Sequence, residues 1–553
     1  MCGIFAVLGK SSRKFEDLEK ASNNGSRRGP EFSVLKDLNK SAAYSERMEI
    51  FGYLGFHRLA INGLNVKSNQ PLIEEGIEVI CNGEIYNYKE IFQELQESPS
   101  TDSDCEVIIY IYKKYGIDAV FDMIDGVYAF VLIDHKKGLG YIARDPYGVR
   151  PLFQTKDAES FVFASEMKQL VDVSDSEIQQ FTPGTYNEFT LGQSTTFNRS
   201  VRFSNFPYMT RMEIPYPSEY TIYKYIGQIS QRLKNAVSKR VTTTDRPVAC
   251  LLSGGLDSSL ITALVAEHFE DKSNLETYSI GLEGSEDLKY AQMVADHLGT
   301  NHTSIVVKEQ DFLDAIPEVI YAIESYDTTT VRASVGNFLV AKYIKEHSEA
   351  KVIFNGDGSD EFSGGYLYFH ACPNPRDFDL ECKRLLRNIH YFDVLRSDRC
   401  IAYHGLEART PFLDRSLIEH YLTIPMELRD HAACKNCEKY ILRSCFSDKQ
   451  LLPHGVMWRT KEAFSDGVSS MKKSWYETIQ ENVALKISED LDYSTEGLVN
   501  APKTPEQKYY RKIFEQHFSG HGNVIPYFWM PRFTDAKDSS ARTLKIYESL
   551  VKK

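Results

Sequence analysis

Long hydrophobic runs are missing from this chain. Stretches such as 127-VYAFVLI-133 fall far short of the ~20 residues a membrane-crossing helix needs. The opening residues, Met1-Cys2-Gly3-Ile4-Phe5, place no basic segment ahead of the apolar ones, so no secretory signal is expected. Positive charge is in deficit: 64 Lys and Arg stand against 77 Asp and Glu, a formal net charge of −13, with no long basic block. Such a surface repels phosphate backbones, and nucleic acid is not an expected partner. Cysteine is sparse, 10 in 553 residues at irregular spacings, which points to free thiols in a reducing, cytoplasmic setting. Cys434 and Cys437 form a single CxxC. The second pair that a zinc ribbon requires does not follow, so loop thiols are expected there.

The length exceeds the ~250–300 residues at which single cores stop growing, so at least two domains are expected. A hydrophobic share of 42% and a charged share of 25% are those of a globular protein, not a disordered one. Residues 1 to about 195 read as short strands between Gly, Asn and Asp turns, as in 50-IFGYLGFHRLAI-61, 77-IEVICNGEIYN-87, 127-VYAFVLID-134 and 139-LGYIARD-145. With helical stretches such as 105-CEVIIYIYKKYG-116, this predicts an α+β region of antiparallel sheets with flanking helices. The Pro-, Asn- and Ser-rich segment 196–218 reads as a linker. Beyond it, strand and helix alternate: 247-PVACLLSGG-255, the helix 256-LDSSLITALVAEHF-269, 276-ETYSIGL-282, a helix stopped by Gly299, 302-HTSIVV-307 and 351-KVIFNGDGSDE-361. That grammar predicts an α/β region with a parallel sheet, whose ligands bind beyond the carboxyl ends of the strands.

The first chemical signal is the N-terminus. Removal of Met1 would leave Cys2 with both a thiol, of reference pKa ~8.5, and an amine of ~7.7–8.0. The amine can then take the thiol's proton near neutral pH. Arg58 can hold a carboxylate through two parallel hydrogen bonds. The backbone N–H of Gly83 and the amide of Asn82 suit an oxyanion hole. Glu84 and Asp104 suit an α-ammonium group. Taken singly, each of these is an ordinary turn or surface residue; together they fit glutamine.

The motifs MCGI (1–4), RRGP (27–30), GFHRL (55–59), NGEIYN (82–87) and SDCEV (103–107) resemble those of the class II glutamine amidotransferases, in the same order. The resemblance implies an αββα sandwich of the N-terminal-nucleophile type over residues 2–195, with Cys2 forming a thioester and releasing ammonia. It also implies glutamine binding by Arg58, Leu59, Ala60, Ile61, Asn62, Asn82, Gly83, Glu84 and Asp104. Arg27 departs from the family, which commonly has His before R-G-P.

The second signal is 253-SGGLDSS-259, set between a hydrophobic strand and an amphipathic helix. Gly254 and Gly255 permit a tight turn whose N–H groups meet an anion. Ser253, Ser258 and Ser259 add hydroxyls, and the helix start adds partial positive charge. Asp257 has the wrong sign for phosphate unless a cation intervenes, which points to Mg²⁺. The Gly-Lys-Ser/Thr of a Walker loop is absent. A second glycine-rich turn, 355-NGDGSDEFSGGY-366, carries Asp357 and Asp360.

Together with 326-YDTTTVRAS-334, 405-GLEARTPFLD-414, 458-WRTKEAFSDG-467 and the tail 527-YFWMPRFTDAKDSSARTL-544, these turns resemble the glutamine-hydrolysing asparagine synthetases over nearly the whole chain. The resemblance implies an ATP-pyrophosphatase fold for residues 219–553 and the substrates L-glutamine, L-aspartate and ATP. It implies attack of aspartate on ATP to give β-aspartyl-AMP, then attack of ammonia to give asparagine. By the same carry-over, ATP is contacted by Leu251, Ser253, Gly254, Gly255, Asp257, Ser258, Ser259, Ile280, Asn355 and Gly356. Mg²⁺ is held by Asp257 and Asp360. The aspartyl-AMP site holds Thr329, Thr330, Arg332 and Asp357, and Lys461 neutralises phosphoryl charge. The resemblance leaves room for a homodimer.

Asp357 is the notable departure, because the family usually has Glu there. A carboxylate remains to take a proton from the attacking nitrogen, but it reaches one methylene less far. Two other readings stay open at this level. One is another amide-forming ligase of the same two domains, such as a β-lactam synthetase, which would not need Cys2 and the glutamine set. The other is a non-catalytic sensor that keeps the fold.

Overall fold

The strand Gly3–Gly9 is buried at every residue. It lies inside a sheet, antiparallel to Gly52–Arg58 on one side and to Ser160–Ala164 on the other. In the computed structural model, residues 1–39, 49–174, 176–204, 218–432, 434, 437–461, 464–470, 473–490 and 494–547 are described. The chain divides into two compact units: Met1–Asn205 with Thr243–Arg246 and Ala402–Glu407, and Phe206–Thr242 with Pro247–Ile401 and Ala408–Lys553.

The first unit has two six-stranded antiparallel sheets. One runs Gln179–Gln180, Phe153–Lys156, Ser160–Ala164, Gly3–Gly9, Gly52–Arg58, Phe32–Asp37. The other runs Thr196–Arg202, Thr185–Thr190, Leu139–Arg144, Gly126–Asp134, Ile77–Ile85, Leu72–Glu74. Strand periodicity sets the layers. Ile80, Val131 and Ile133 pack with Ile4, Ala6, Leu54 and Phe56 in the core between the sheets. Their neighbours Val79, Cys81, Phe130 and Leu132 join a second core with Val107, Ile108 and Ile111 of the helix Val107–Tyr115. Both faces of the second sheet are therefore covered. On the outer face of the first sheet, the helix Phe15–Asn23 brings Ser22 close to Gly55.

One expectation fails. The segment read as a linker from 196 begins with the strand Thr196–Arg202, which pairs with Thr185–Thr190 at the edge of the second sheet. Its residues are almost all exposed, so no apolar alternation marks it. Residues 205–217 of that segment lie outside the described ones.

The second unit holds a five-stranded sheet ordered Asn301–Val307, Glu276–Leu282, Val248–Leu251, Val352–Phe354, Glu407–Arg409. The pairings among the first four are parallel. Leu256–Ala266, Glu286–Leu298 and Thr328–His347 are the helices of the expected alternation, and Gly299 ends the second in the left-handed region at φ 74°. Among the described residues no helix is long and apolar enough to cross a membrane.

Candidate active sites

In the first unit, Cys2 sits just ahead of the central strand. Its backbone N–H donates to Asn82 Oδ1 at 3.1 Å, its Sγ lies 3.6 Å from the carbonyl of Leu59, and the Cys2 carbonyl accepts from Arg28 Nε at 2.9 Å. Burial pushes the thiol up to about 11, with the Leu59 contact pulling the other way. Met1 is in place, and its ammonium pairs with buried Glu407 at 3.0 Å. While that peptide bond stands, the nitrogen of Cys2 is an amide and takes no proton.

Asn82 and Gly83 lie on the strand Ile77–Ile85. Asn82 is fully buried and its Nδ2 has no hydrogen-bond partner among the described residues. A buried donor left unmatched is costly, and it marks a place where an oxygen of a ligand would be held. Gly83 is packed so closely that a Cβ would meet the carbonyl of Val127 at 2.5 Å. Asn62 Nδ2 donates to Glu84 Oε2 at 2.6 Å, and Asp104 Oδ2 accepts from the N–H of Ile85 at 2.7 Å. Asn62, Glu84 and Asp104 thus converge beside Asn82.

Arg58 is engaged otherwise than expected. Its two terminal nitrogens donate to the carbonyls of Asn62, Gly63 and Asn65 and to Asn69 Oδ1. The guanidinium therefore shapes the loop 62–69 here, and holding a carboxylate requires it to exchange some of those bonds. Sequence reasoning also missed the supports of this loop. Glu31 Oε2 accepts from Ala60 N–H at 2.7 Å, Arg246 Nε donates to the Ala60 carbonyl at 2.8 Å, and Asp245 Oδ2 accepts from Gly63 N–H at 2.8 Å. Arg27 lies with its guanidinium 4.3 Å from the ring centre of Tyr403.

In the second unit, a cavity of about 180 Å³ opens at the carboxyl ends of the central strands. Its walls include Leu251, Ser253, Gly255, Asp257, Ser258, Ile280, Thr329, Thr330, Asn355, Gly356, Asp357, Asp360 and Lys461. The hydroxyls of Ser253 and Ser258 lie 3.0 Å apart, and Ser258 Oγ accepts from Ser253 N–H at 3.2 Å. Gly254 turns at φ 72°, where a Cβ would meet Tyr290 Cβ at 2.4 Å. Gly254 and Ser259 do not line the cavity: the first makes the turn, and the second is fully buried on the helix.

Asp257 and Asp360 converge on two lysines. Lys439 Nζ is 2.6 Å from Asp257 Oδ2 and 2.5 Å from Asp360 Oδ1, while Lys461 Nζ is 3.5 Å and 2.8 Å from their Oδ2 atoms. Burial disfavours the charge on Asp360, but Lys439 and Lys461 outweigh it and hold the carboxyl well below its usual range. The same pairing raises Lys461 despite its burial. Lys439 was not singled out from sequence, since no motif marks it. Its backbone carries the signal instead: φ is 57°, a left-handed conformation uncommon for a non-glycine residue and found at sites that use the strain.

Two carboxylates meeting at one point offer the hard oxygen ligands that suit Mg²⁺, which usually completes its shell with water and phosphate. The oxygen type suits such a cation, but Lys439, Lys461 and Ser359 engage these oxygens here, so a metal would have to replace lysine contacts. Asp357 is held by Arg396, whose Nη2 is 2.9 Å from Oδ1 and also contacts Asp393. Burial, with Asp357 nearby, pushes Asp393 up to about 6 against the pull of Arg396.

Arg332 corrects another expectation. It does not line the cavity; its guanidinium bonds Glu506 at 2.8 and 2.6 Å and Asp538 at 2.7 and 2.9 Å. All these atoms are occupied in tying the helix Thr328–His347 to the C-terminal segment. Thr329 and Thr330 of that helix do line the cavity, with Asp327 capping its start through Thr330 N–H.

Residues 1–206 match the glutamine amidotransferase domain model, and residues 228–381 and 371–534 match the asparagine synthase model. The chain is 38% identical to asparagine synthetase [glutamine-hydrolyzing] of Gallus gallus over 572 residues and to that of Homo sapiens over 580, covering the full length of each. The corresponding protein of Bos taurus is 37% identical over 578 residues, again at full coverage. Both domain models matched along one chain, with full-length likeness at this level, have one explanation: the chain belongs to the asparagine synthetase family of the glutamine-hydrolysing kind.

Proposed function

We propose that this chain makes L-asparagine from L-aspartate with ammonia taken from L-glutamine, converting ATP to AMP and pyrophosphate. In the first unit, loss of Met1 turns the nitrogen of Cys2 into an amine able to receive the thiol proton. The sulfur attacks the side-chain carbonyl of glutamine, and the oxyanion is held by Asn82 Nδ2 and Gly83 N–H. Ammonia departs, and water releases glutamate from the thioester. The Nδ2 of Asn82, beside Cys2 and without a partner among the described residues, supports this assignment. Glu84 and Asp104 are proposed to receive the α-ammonium of glutamine.

In the second unit, ATP is proposed to sit with its phosphates on the Ser253–Ser259 turn and its nucleoside near Leu251, Ile280, Asn355 and Gly356. Asp257 and Asp360 would hold Mg²⁺, which when bound neutralises phosphate charge. Aspartate's side-chain carboxylate attacks the α-phosphorus and pyrophosphate leaves, with Lys461 and Lys439 offsetting its charge. Ammonia then attacks the acyl carbon, Asp357 takes the proton, and AMP departs.

The observation that carries this reading is the single cavity whose wall holds the Ser253–Ser259 turn, the Asp357 turn and both lysines. The test is incubation with glutamine, aspartate and ATP in the presence of Mg²⁺. Equal amounts of asparagine, AMP and pyrophosphate, with glutamate, are expected; ATP left intact refutes the reading.

A further inference from the structure

Six acidic side chains line the cavity of the second unit, and five of them are matched by a cation. Asp257 and Asp360 lie on Lys439 and Lys461, Asp357 and Asp393 on Arg396, and Asp287 on Arg459 at 2.9 Å. Glu361 is the exception. It is 3% exposed on the short helix Ser359–Ser363. The hydroxyl of Tyr366, itself part of the cavity wall, donates to Oε1 at 2.5 Å. Oε2 is buried and has no partner among the described residues. A buried carboxylate oxygen left without a donor is costly, and it marks a place where a group of a ligand would be held. With the proposed Mg²⁺ assigned to Asp257 and Asp360, Glu361 is, among the described residues, the one acid of this wall whose oxygen is left open to a donor group of a substrate.

Apart from the Mg²⁺ assigned to Asp257 and Asp360, ATP brings no cation. Aspartate carries one, its α-ammonium, whose three N–H donors suit a carboxylate oxygen already oriented by a hydroxyl. We propose that Glu361, steadied by Tyr366, receives the α-ammonium group of aspartate. The proposal rests on the function assigned above and adds the residue that selects an α-amino acid over a plain dicarboxylate. The incoming ammonia, met as ammonium, has the same chemistry, so the experiment separates the two sources.

Glu361→Gln keeps the shape and removes the charge. With ammonium as nitrogen source, its KM for aspartate should rise about ten- to a hundredfold, the scale of one lost charge-assisted hydrogen bond. The KM for ammonium at saturating aspartate should stay within about twofold of wild type. Succinate, which lacks the α-ammonium, is the second probe, and its inhibition against aspartate should be the same in both enzymes. An unchanged KM for aspartate, a raised KM for ammonium alone, or a parallel loss of succinate inhibition overturns the proposal. The glutaminase reaction of the first unit reports on folding. If it is lost, Glu361→Asp is measured instead, with a raised KM for aspartate and unchanged succinate inhibition expected; any other pattern overturns the proposal. Wild-type asparagine formation is the separate control: its absence defeats the assigned function, whereas normal wild-type synthesis with an unaltered variant defeats only the role of Glu361.

Discussion

Asn82 Oδ1 accepts the backbone N–H of Cys2 at 3.1 Å, and this bond fixes which end of the amide is left over. The oxygen is used on the nucleophile's own residue, so the nitrogen is left over, buried and without a partner among the described residues. One side chain thus holds the nucleophile in place and presents a donor beside it.

Asn82→Asp keeps an acceptor for Cys2 and removes the donor. The glutaminase kcat is expected to fall about 10²- to 10³-fold, the usual effect of losing one oxyanion donor. Synthesis driven by added ammonium should persist near the wild-type rate. Steady-state rates with each nitrogen source check this. A proportionate loss of both would mean that Asn82 holds up the fold instead.

Asp357→Glu is expected to raise the rate of asparagine formation. The native carboxylate is ion-paired to Arg396 and is one methylene shorter than the glutamate usual at this position. A base about 1 Å out of place costs up to ~10²-fold, so the longer side chain should recover part of that. The comparison is kcat with ammonium at saturating aspartate and ATP. An unchanged or lower rate in the variant would show that the shorter acid is already well placed.

Most of the fold was legible because both of its grammars are periodic. Strands with both faces buried, such as Gly126–Asp134, read as apolar runs, and the Gly299 stop marked a helix end without ambiguity. The strand Thr196–Arg202 was not legible, because an exposed edge strand carries no apolar signal. In the sites, the glycine turns announced themselves through local sequence. What sequence hid was partnership across long separations. Lys439 reaches Asp257 from 182 positions away, and no motif at either end predicts the contact. Arg332 sits in a recognisable segment yet is spent on Glu506, 174 positions distant. Type and order of residues reveal which chemistry is present; they do not reveal which charges are already paired.

Lys439→Met tests the paired lysines. The side chain is nearly fully buried between Asp257 and Asp360, and its removal leaves two carboxylates sharing Lys461. Breaking such a buried pair costs about 3–5 kcal/mol. A fall in thermal midpoint is expected, together with loss of aspartate-dependent pyrophosphate release, while the glutaminase rate is retained. Full stability in the variant would show that Lys461 alone satisfies both acids.

His431 gives a prediction about acid stability. It is 1% exposed, and its ring lies 4.5 Å from that of His370 and 5.5 Å from that of Phe378. Burial, helped by His370 and Lys439 against Glu438 and a backbone contact with Gly364, pushes its pKa down to about 3. An unfolded imidazole titrates near ~6.5. Between those two values the unfolded chain takes up a proton that the folded chain refuses, so stability is full above about pH 6.5 and falls as the pH drops toward 3. At pH 5 the loss from this one group is about 2 kcal/mol. His431→Phe removes the titration and fits the aromatic surroundings. Denaturant unfolding at pH 7 and pH 5 should therefore show a smaller acid loss in the variant than in wild type, by about that amount. Equal losses in the two proteins would mean that His431 is protonated in the folded state or reaches water before the unit unfolds, and that other groups govern the acid limb.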